Sequence, residues 1–274
     1  MLDKLIHKNL KVPYSLYLNI MRKGRNPKAT IILLHGLAST SELWKALYPN
    51  LPKDTTVIAV DLLGHGKSPK PSWLGAQTLT HQARALKRAL QSSGHLKHPI
   101  FIVGHSMGSL IAAEFARLYP KKVDYIVLVS PPIYLPDDKT IWPRREKLLK
   151  KNYEFLINNK DIATKVAKIA TTKFINGATQ VLTDEDFEPL VESLKLSILE
   201  QDTFEVLKHL NTPTKIIYGA FDPLVIGKNI TKLKKYNDNI SITMIPSAHD
   251  VTMIASRFIT KSINQELLIG DKNE

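Results

Sequence analysis

Apolar and polar positions alternate along this chain in a repeating rhythm. Short runs rich in β-branched residues, at 30–34, 57–60, 100–103, 123–129, 215–218 and 240–245, are separated by longer stretches with helical spacing. Nearly continuous apolar runs of four to seven residues are what strands need when helices cover both faces of a sheet, and the intervening lengths suffice for right-handed crossovers. The pattern predicts an α/β fold built on a mostly parallel, doubly wound sheet. The rhythm breaks after residue 129. Between 130 and about 210 no buried-strand pattern recurs, and helices are predicted over 143–157, 161–173 and 184–199. Asp184-Glu185-Asp186 suits the positive end of the third, and Asn176-Gly177 marks a turn before it. Strand rhythm returns at Thr212-Pro213-Thr214-Lys215-Ile216-Ile217-Tyr218-Gly219. The chain is therefore read as a core of residues 1–132 and 205–274, with a helical cap inserted at 133–204.

Composition narrows the chemistry. With 274 residues, a single core buries roughly three quarters of the surface that the unfolded chain exposes, so no staple is required. The absence of cysteine excludes disulfide scaffolds, thiolate metal sites and a cysteine nucleophile. The formal net charge is +13, and its densest run is Arg144-Arg145-Glu146-Lys147-Leu148-Leu149-Lys150-Lys151. Leu148 and Leu149 inside that run predict an amphipathic helix with a solvated basic face. No interleaved aromatics offer a stacking platform, so no nucleic-acid partner is expected. The first eight residues mix charged and apolar positions with no apolar core of signal-peptide length, and the longest apolar runs fall far short of the roughly 20 residues of a spanning helix. A cytoplasmic protein without a membrane anchor is expected.

The most informative residues are Gly104-His105-Ser106-Met107-Gly108, directly after the run 100–103 and before the helical stretch 110–118. A G-x-S-x-G turn between strand and helix lifts its serine above the sheet edge, and the positions two before and two after must be small because backbones cross there. A serine hydroxyl needs a base, and the base needs a group that holds its tautomer. His249 follows the run 240–245 and Asp222 follows the run 215–218, both at the strand ends where Ser106 lies. Asp124 and Asp250 compete with Asp222. Asp124 sits at the start of its strand, on the opposite edge, and Asp250 adjoins the histidine in sequence, where side chains usually diverge. Two amides are expected to face a developing oxyanion: that of Met107, and that of Leu37 in the loop His35-Gly36-Leu37, where Gly36 is expected to let the backbone turn the Leu37 amide inward. His35 is read as pinning this loop.

Other motifs fall away. Gly66-Lys67-Ser68 ends like a phosphate-binding loop, but Asp61 stands where its first glycine is needed. Gly64-His65-Gly66 has Pro69 at the third glycine of a dinucleotide fingerprint, and His95-Leu96-Lys97-His98 lacks a metal-ligand pattern. No cofactor or metal is expected.

Taken together, the elbow, the His35-Gly36 loop, the segment Asp61-Leu62-Leu63-Gly64-His65-Gly66-Lys67-Ser68, Asp222 and His249 resemble the α/β-hydrolase superfamily, in its cap-bearing branch of esterases, lipases and carbon–carbon bond hydrolases. The resemblance covers nearly the whole chain. It implies a Ser106, His249 and Asp222 triad and a pocket between sheet edge and cap, where Trp142, Tyr153, Phe155 and Phe174 are candidates to line an acyl site. Ser109 stands where many members have glycine, and Ser247-Ala248 replaces a more usual glycine-containing pair. A serine in place of an aspartate argues against epoxide hydrolase and dehalogenase chemistry. The expected function is hydrolysis of small to medium carboxylic esters through an acyl-enzyme. The alternatives are cleavage of a carbon–carbon bond in a β-diketone-like substrate, with Arg144 or Arg145 binding its polar group, and a weakly catalytic ligand receptor on the same scaffold.

Overall fold

The computed structural model describes residues 2–71, 73–96, 99–135, 144–159, 184–251 and 253–270. Its centre is a seven-stranded sheet: β1 (Tyr17–Arg22), β2 (Ala29–Leu34), β3 (Thr55–Asp61), β4 (Ile100–His105), β5 (Tyr125–Val129), β6 (Thr214–Gly219) and β7 (Ile240–Ile245). The spatial order is β1-β3-β2-β4-β5-β6-β7. Six strands run parallel as the pattern predicts. β1, which the sequence reading does not include, joins antiparallel to β3 at one edge. Its residues are mostly half-buried, so it lacks the apolar run that marks the inner strands.

Alternate residues of the inner strands feed two cores. Ile32 and Leu34 of β2, Ile58 and Val60 of β3, Ile102 of β4 and Leu128 of β5 point to one face, against helices α1 (Leu79–Ser92) and α2 (Met107–Leu118). Ile31, Leu33, Val57, Val103 and Val127 point to the other, against Trp44 and the last helix, Met253–Gly270. The period of two in a strand thus serves both faces with one unbroken apolar run.

After β5 the chain leaves the sheet and returns at β6. Among the described residues this excursion is helical: α3 (Arg144–Asn158), α4 (Asp184–Ser193), a wide-turned segment Leu194–Leu199, and α5 (Thr203–Lys208). The helix expected over 161–173 lies outside the described residues. The one expected over 184–199 carries Pro189 within α4 and passes after Ser193 into wider turns, closed by the Glu200 amide on the Lys195 carbonyl at 3.0 Å. In α3, Leu148 is exposed while Leu149 packs on the core with Tyr153 and Ile157. Adjacent helical positions lie about 100° apart, so only the set at spacing four faces inward.

The excursion is tied down where it leaves the sheet. The Asn229 side chain on α6 (Gly227–Leu233) donates to the Ile133 carbonyl at 2.9 Å, and the Tyr134 hydroxyl donates to the Leu224 carbonyl at 3.0 Å. Its middle rests on the loop after β3. The Gly75 amide donates to Glu192, and the hydroxyls of Ser193 and Ser197 donate to the Gln77 side-chain oxygen and main-chain carbonyl. That loop is itself braced by Asp61, which accepts from the Ser41 amide at 2.7 Å and the Lys67 amide at 2.9 Å.

The crossing of α2 over β2 leaves no room at Gly108. A Cβ there would sit 2.4 Å from the Leu34 carbonyl oxygen and 2.6 Å from that of His35. Both are backbone atoms of the central sheet and its following loop, so Gly108→Ala must displace the helix. The expected cost is about 3 kcal/mol or more, read as a fall in thermal midpoint of roughly 6 °C. A midpoint equal to that of the wild type would show that the turn has slack.

Candidate active site

The β4 to α2 turn holds Ser106 at φ 52° and ψ −120°, a region that non-glycine residues rarely adopt. The surroundings enforce it. The Ser106 amide donates to the Val129 carbonyl at 2.9 Å, and the buried Ser109 hydroxyl donates to the carbonyls of Gly104 at 2.7 Å and Val129 at 3.1 Å. Ser109, where a glycine is more usual, therefore clamps the elbow to the neighbouring strand. A Cβ on Gly104 would lie 2.3 Å from the Gly108 carbonyl oxygen, the close crossing that the elbow sequence anticipates.

Three side chains meet above this turn. The Ser106 hydroxyl lies 2.9 Å from His249 Nε2, and His249 Nδ1 lies 2.9 and 3.0 Å from the two carboxylate oxygens of Asp222. The histidine thus donates from Nδ1 to the carboxylate, which leaves Nε2 as acceptor for the serine proton. Asp222 is buried and also accepts from the amides of Leu224 at 2.9 Å and Val225 at 3.2 Å. Burial pushes its carboxyl upward, but the hydrogen bond and charge of His249, the Leu224 amide and the Ser130 hydroxyl outweigh burial and hold it below its ordinary value. Asp124 lies at the far edge of the sheet, accepting from the Ile100 amide at 2.7 Å.

Ser130 is the participant that sequence reasoning missed. It follows β5, has φ 49°, and donates its amide to the Ile217 carbonyl at 2.8 Å. The signal was available: it is a polar residue at the same strand-end edge, between the strands that deliver Ser106 and Asp222.

The two segments expected to supply oxyanion donors both border Ser106. Met107 begins α2, so its amide has no partner within the helix. The His35-Gly36-Leu37 loop approaches from β2, and no backbone acceptor among the described residues takes the Leu37 amide proton. The sequence reading assigned Gly36 a backbone-turning role, but the left-handed residue in this loop is Ala38, at φ 57°. Gly36 is required for closeness, because a Cβ there would lie 3.1 Å from Ser106 Cβ. His35 pins the loop as expected: its Nδ1 donates to the Gly36 carbonyl at 2.7 Å and its Nε2 accepts from the Leu62 amide at 2.9 Å.

Of the four aromatics proposed to line an acyl pocket, Tyr153 approaches the site. It is hydrogen-bonded to Tyr134 and feels the charge of Asp222, and burial raises its pKa. Phe155 is 52% exposed, because it sits two residues from the inward-facing stripe of α3. Trp142 and Phe174 lie outside the described residues.

His105 and His35 are both buried and held neutral. Burial, then the neighbouring His249, lowers His105 to about 4; burial, then His65, lowers His35 to about 3. His105 Nε2 donates to the His249 main-chain carbonyl at 2.7 Å, so the elbow holds the histidine loop directly. Because both values lie below the ordinary ~6.5 of an unfolded chain, the unfolded state takes up two protons that the folded state refuses. Stability is therefore full above about pH 6.5 and is lost as pH falls, with a slope approaching ~2.7 kcal/mol per pH unit, until these groups titrate in the folded protein. Urea unfolding between pH 7 and pH 5 should show this loss; a flat profile would rule it out.

The sequence pattern of the alpha/beta hydrolase fold family matches residues 29–254. The chain is 33% identical over 118 residues to lipase LipV of Mycobacterium tuberculosis, a match covering 43% of each chain. It is 28% identical over 244 residues to the pimeloyl acyl-carrier-protein methyl ester esterase of Wigglesworthia glossinidia brevipalpis, covering 84% of this chain and 89% of that one. The chain spans from 26% to 59% of the length of the first four curated relatives. The solved structure of an esterase from Exiguobacterium antarcticum superposes with a TM-score of 0.73 at 16% identity, over 92% of this chain and 95% of that one, a likeness of fold.

Proposed function

Because this chain belongs to the alpha/beta hydrolase fold family, we propose that it is a serine hydrolase of small to medium carboxylic esters, acting through Ser106, His249 and Asp222. The observation that carries this reading is the continuous hydrogen-bond chain from Ser106 Oγ through both ring nitrogens of His249 to a buried carboxylate. The names of a lipase and a methyl ester esterase among the relatives point the same way.

In the first step His249 Nε2 removes the proton as Ser106 Oγ attacks the ester carbonyl carbon. The carbonyl π electrons move onto oxygen, and the Leu37 and Met107 amides meet that oxyanion. Collapse reforms the carbonyl, breaks the bond to the alcohol oxygen, and passes the proton from Nε2 to the leaving alcohol. Water then attacks the acyl-enzyme with His249 again as base, releasing the acid and restoring the Ser106 hydroxyl. Asp222 stays ionised throughout, orients the ring, and stabilises the imidazolium formed in each half. The depressed carboxyl suits that role, since a protonated Asp222 would lose its charge when the ring gains one.

The test is intact-mass analysis after a fluorophosphonate, followed by turnover of p-nitrophenyl acetate, butyrate and octanoate. One adduct with ester turnover is expected. Cleavage of a vinylogous diketone without ester turnover would move the reaction to carbon–carbon bonds, and a folded protein that forms no adduct would be a receptor.

A further inference from the structure

The N-terminal segment docks the wrong way round for a core-forming helix. In the wide-turned stretch Lys4–Asn9 no residue is buried, and what holds it down is polar. The Tyr14 hydroxyl donates to the Asp3 carboxylate at 2.8 Å, the His7 ring stacks on Tyr14 at 3.6 Å between centroids, and the Lys8 ammonium lies 5.7 Å from the Trp73 ring centre. The leucines are left outside. Leu2, Leu5 and Leu10 are 69%, 48% and 65% exposed, and Leu74, beside Trp73, is 86% exposed.

Directly after Leu10 comes a groove of about 710 Å³ whose charged lining is wholly basic: Lys11, with Arg84, Lys87 and Arg88 from α1. Spacings of three and four put the α1 cations on one helix face. Lys87 lies over the Tyr119 ring, and none of the four cations forms an ion pair among the described residues. Lys4 and Lys8 add two more exposed cations between the leucines.

We propose that this face docks on an anionic phospholipid surface, with Leu2, Leu5 and Leu10 entering the headgroup and acyl boundary while Lys11, Arg84, Lys87 and Arg88 meet lipid phosphates. Charge complementarity selects this occupant. A second copy of a chain with net charge +13 would oppose like charges across the same face. A nucleic acid would use the cations but gain nothing from exposed aliphatic side chains, and the groove's one aromatic ring already lies under Lys87. Aliphatic groups beside unpaired cations suit a boundary that is hydrocarbon on one side and phosphate on the other. No described helix is long and apolar enough to cross a membrane, and the contact proposed is a peripheral one. The segment read in the sequence as free of any anchor thereby becomes a surface contact.

The test is flotation of the full chain with vesicles of phosphatidylcholine alone, and of phosphatidylcholine with about one third phosphatidylglycerol, at low and high salt. Anionic vesicles should bind at least ~20-fold more protein than neutral ones, and salt should weaken this. At roughly fivefold per cation, Arg84→Gln with Arg88→Gln should cost about 25-fold on anionic vesicles. Leu5→Ser with Leu10→Ser should cost about 10-fold, with most of that loss surviving high salt. Both pairs change exposed side chains, and an unchanged thermal midpoint shows that each variant is folded. Equal binding to neutral and anionic vesicles overturns the proposal. So does anionic binding that the leucine variant leaves intact, which would mark a polyanion groove, or a dimer in sedimentation that the leucine variant dissolves, which would mark a self-association face.

Discussion

Ser106→Ala is expected to abolish the fluorophosphonate adduct and to lower ester turnover by on the order of 10⁴ to 10⁶, with the fold unchanged. The size follows from what the hydroxyl does. In the proposed mechanism it is the atom that bonds to the acyl carbon, and it stands 2.9 Å from His249 Nε2, the proposed base. The amides of Leu37 and Met107, the proposed oxyanion donors, remain in the variant, so activity above the uncatalysed rate should persist. Alanine keeps the Cβ and the Ser106 amide, whose bond to Val129 and the Ser109 clamp hold the turn. The thermal midpoint should therefore hold within about 2 °C, because a change of 1 kcal/mol moves a protein of this size by that amount or slightly more. Turnover and adduct formation in Ser106→Ala equal to those of the wild type would place the nucleophile elsewhere.

Asp222→Asn should lower kcat by about 10⁴ while leaving KM within a few-fold. The carboxylate accepts from His249 Nδ1 with both oxygens and also takes two amides and the Ser130 hydroxyl. With donors already converging on it, an asparagine keeps its carbonyl toward the amides and turns its NH₂ to the ring. The histidine must then accept at Nδ1 and carry its proton on Nε2, which points a donor at Ser106 and leaves no base. The fluorophosphonate adduct should still form, but at a rate reduced to a similar extent. An Asp222→Asn enzyme with more than about a tenth of wild-type kcat would mean that the tautomer is held by another group.

How far the sequence reached depended on whether each feature was local. The inner strands were legible because each is buried on both faces, which leaves an unbroken apolar run: Ile31 and Leu33 feed one core, Ile32 and Leu34 the other. β1 was not legible, since its half-buried residues carry no apolar run and Asn19 and Arg22 interrupt it, whereas the other edge strand, β7, keeps isoleucine at 240, 242 and 245. The elbow was readable because its glycines answer a close backbone crossing within five residues, and Asp222 and His249 because each follows a strand that a parallel sheet must deliver to one edge.

Ser130, Ser109, His105 and Gly36 act through contacts between segments far apart in the chain. Ser130 reaches a carboxylate 92 positions away, and His105 a carbonyl 144 positions away. Local patterning encodes which faces are apolar and where the backbone must turn, because those demands are set by near neighbours. Pairings across the sheet edge appear only when the strands are side by side. The sequence alone therefore determined the strand and helix rhythm, the excursion between β5 and β6, and the strand ends on which Ser106, Asp222 and His249 stand. Tertiary structure alone decided the hydrogen-bond chain among them, the extra donors on Asp222, the burial that keeps His35 and His105 neutral, and which leucines of the first ten residues face outward.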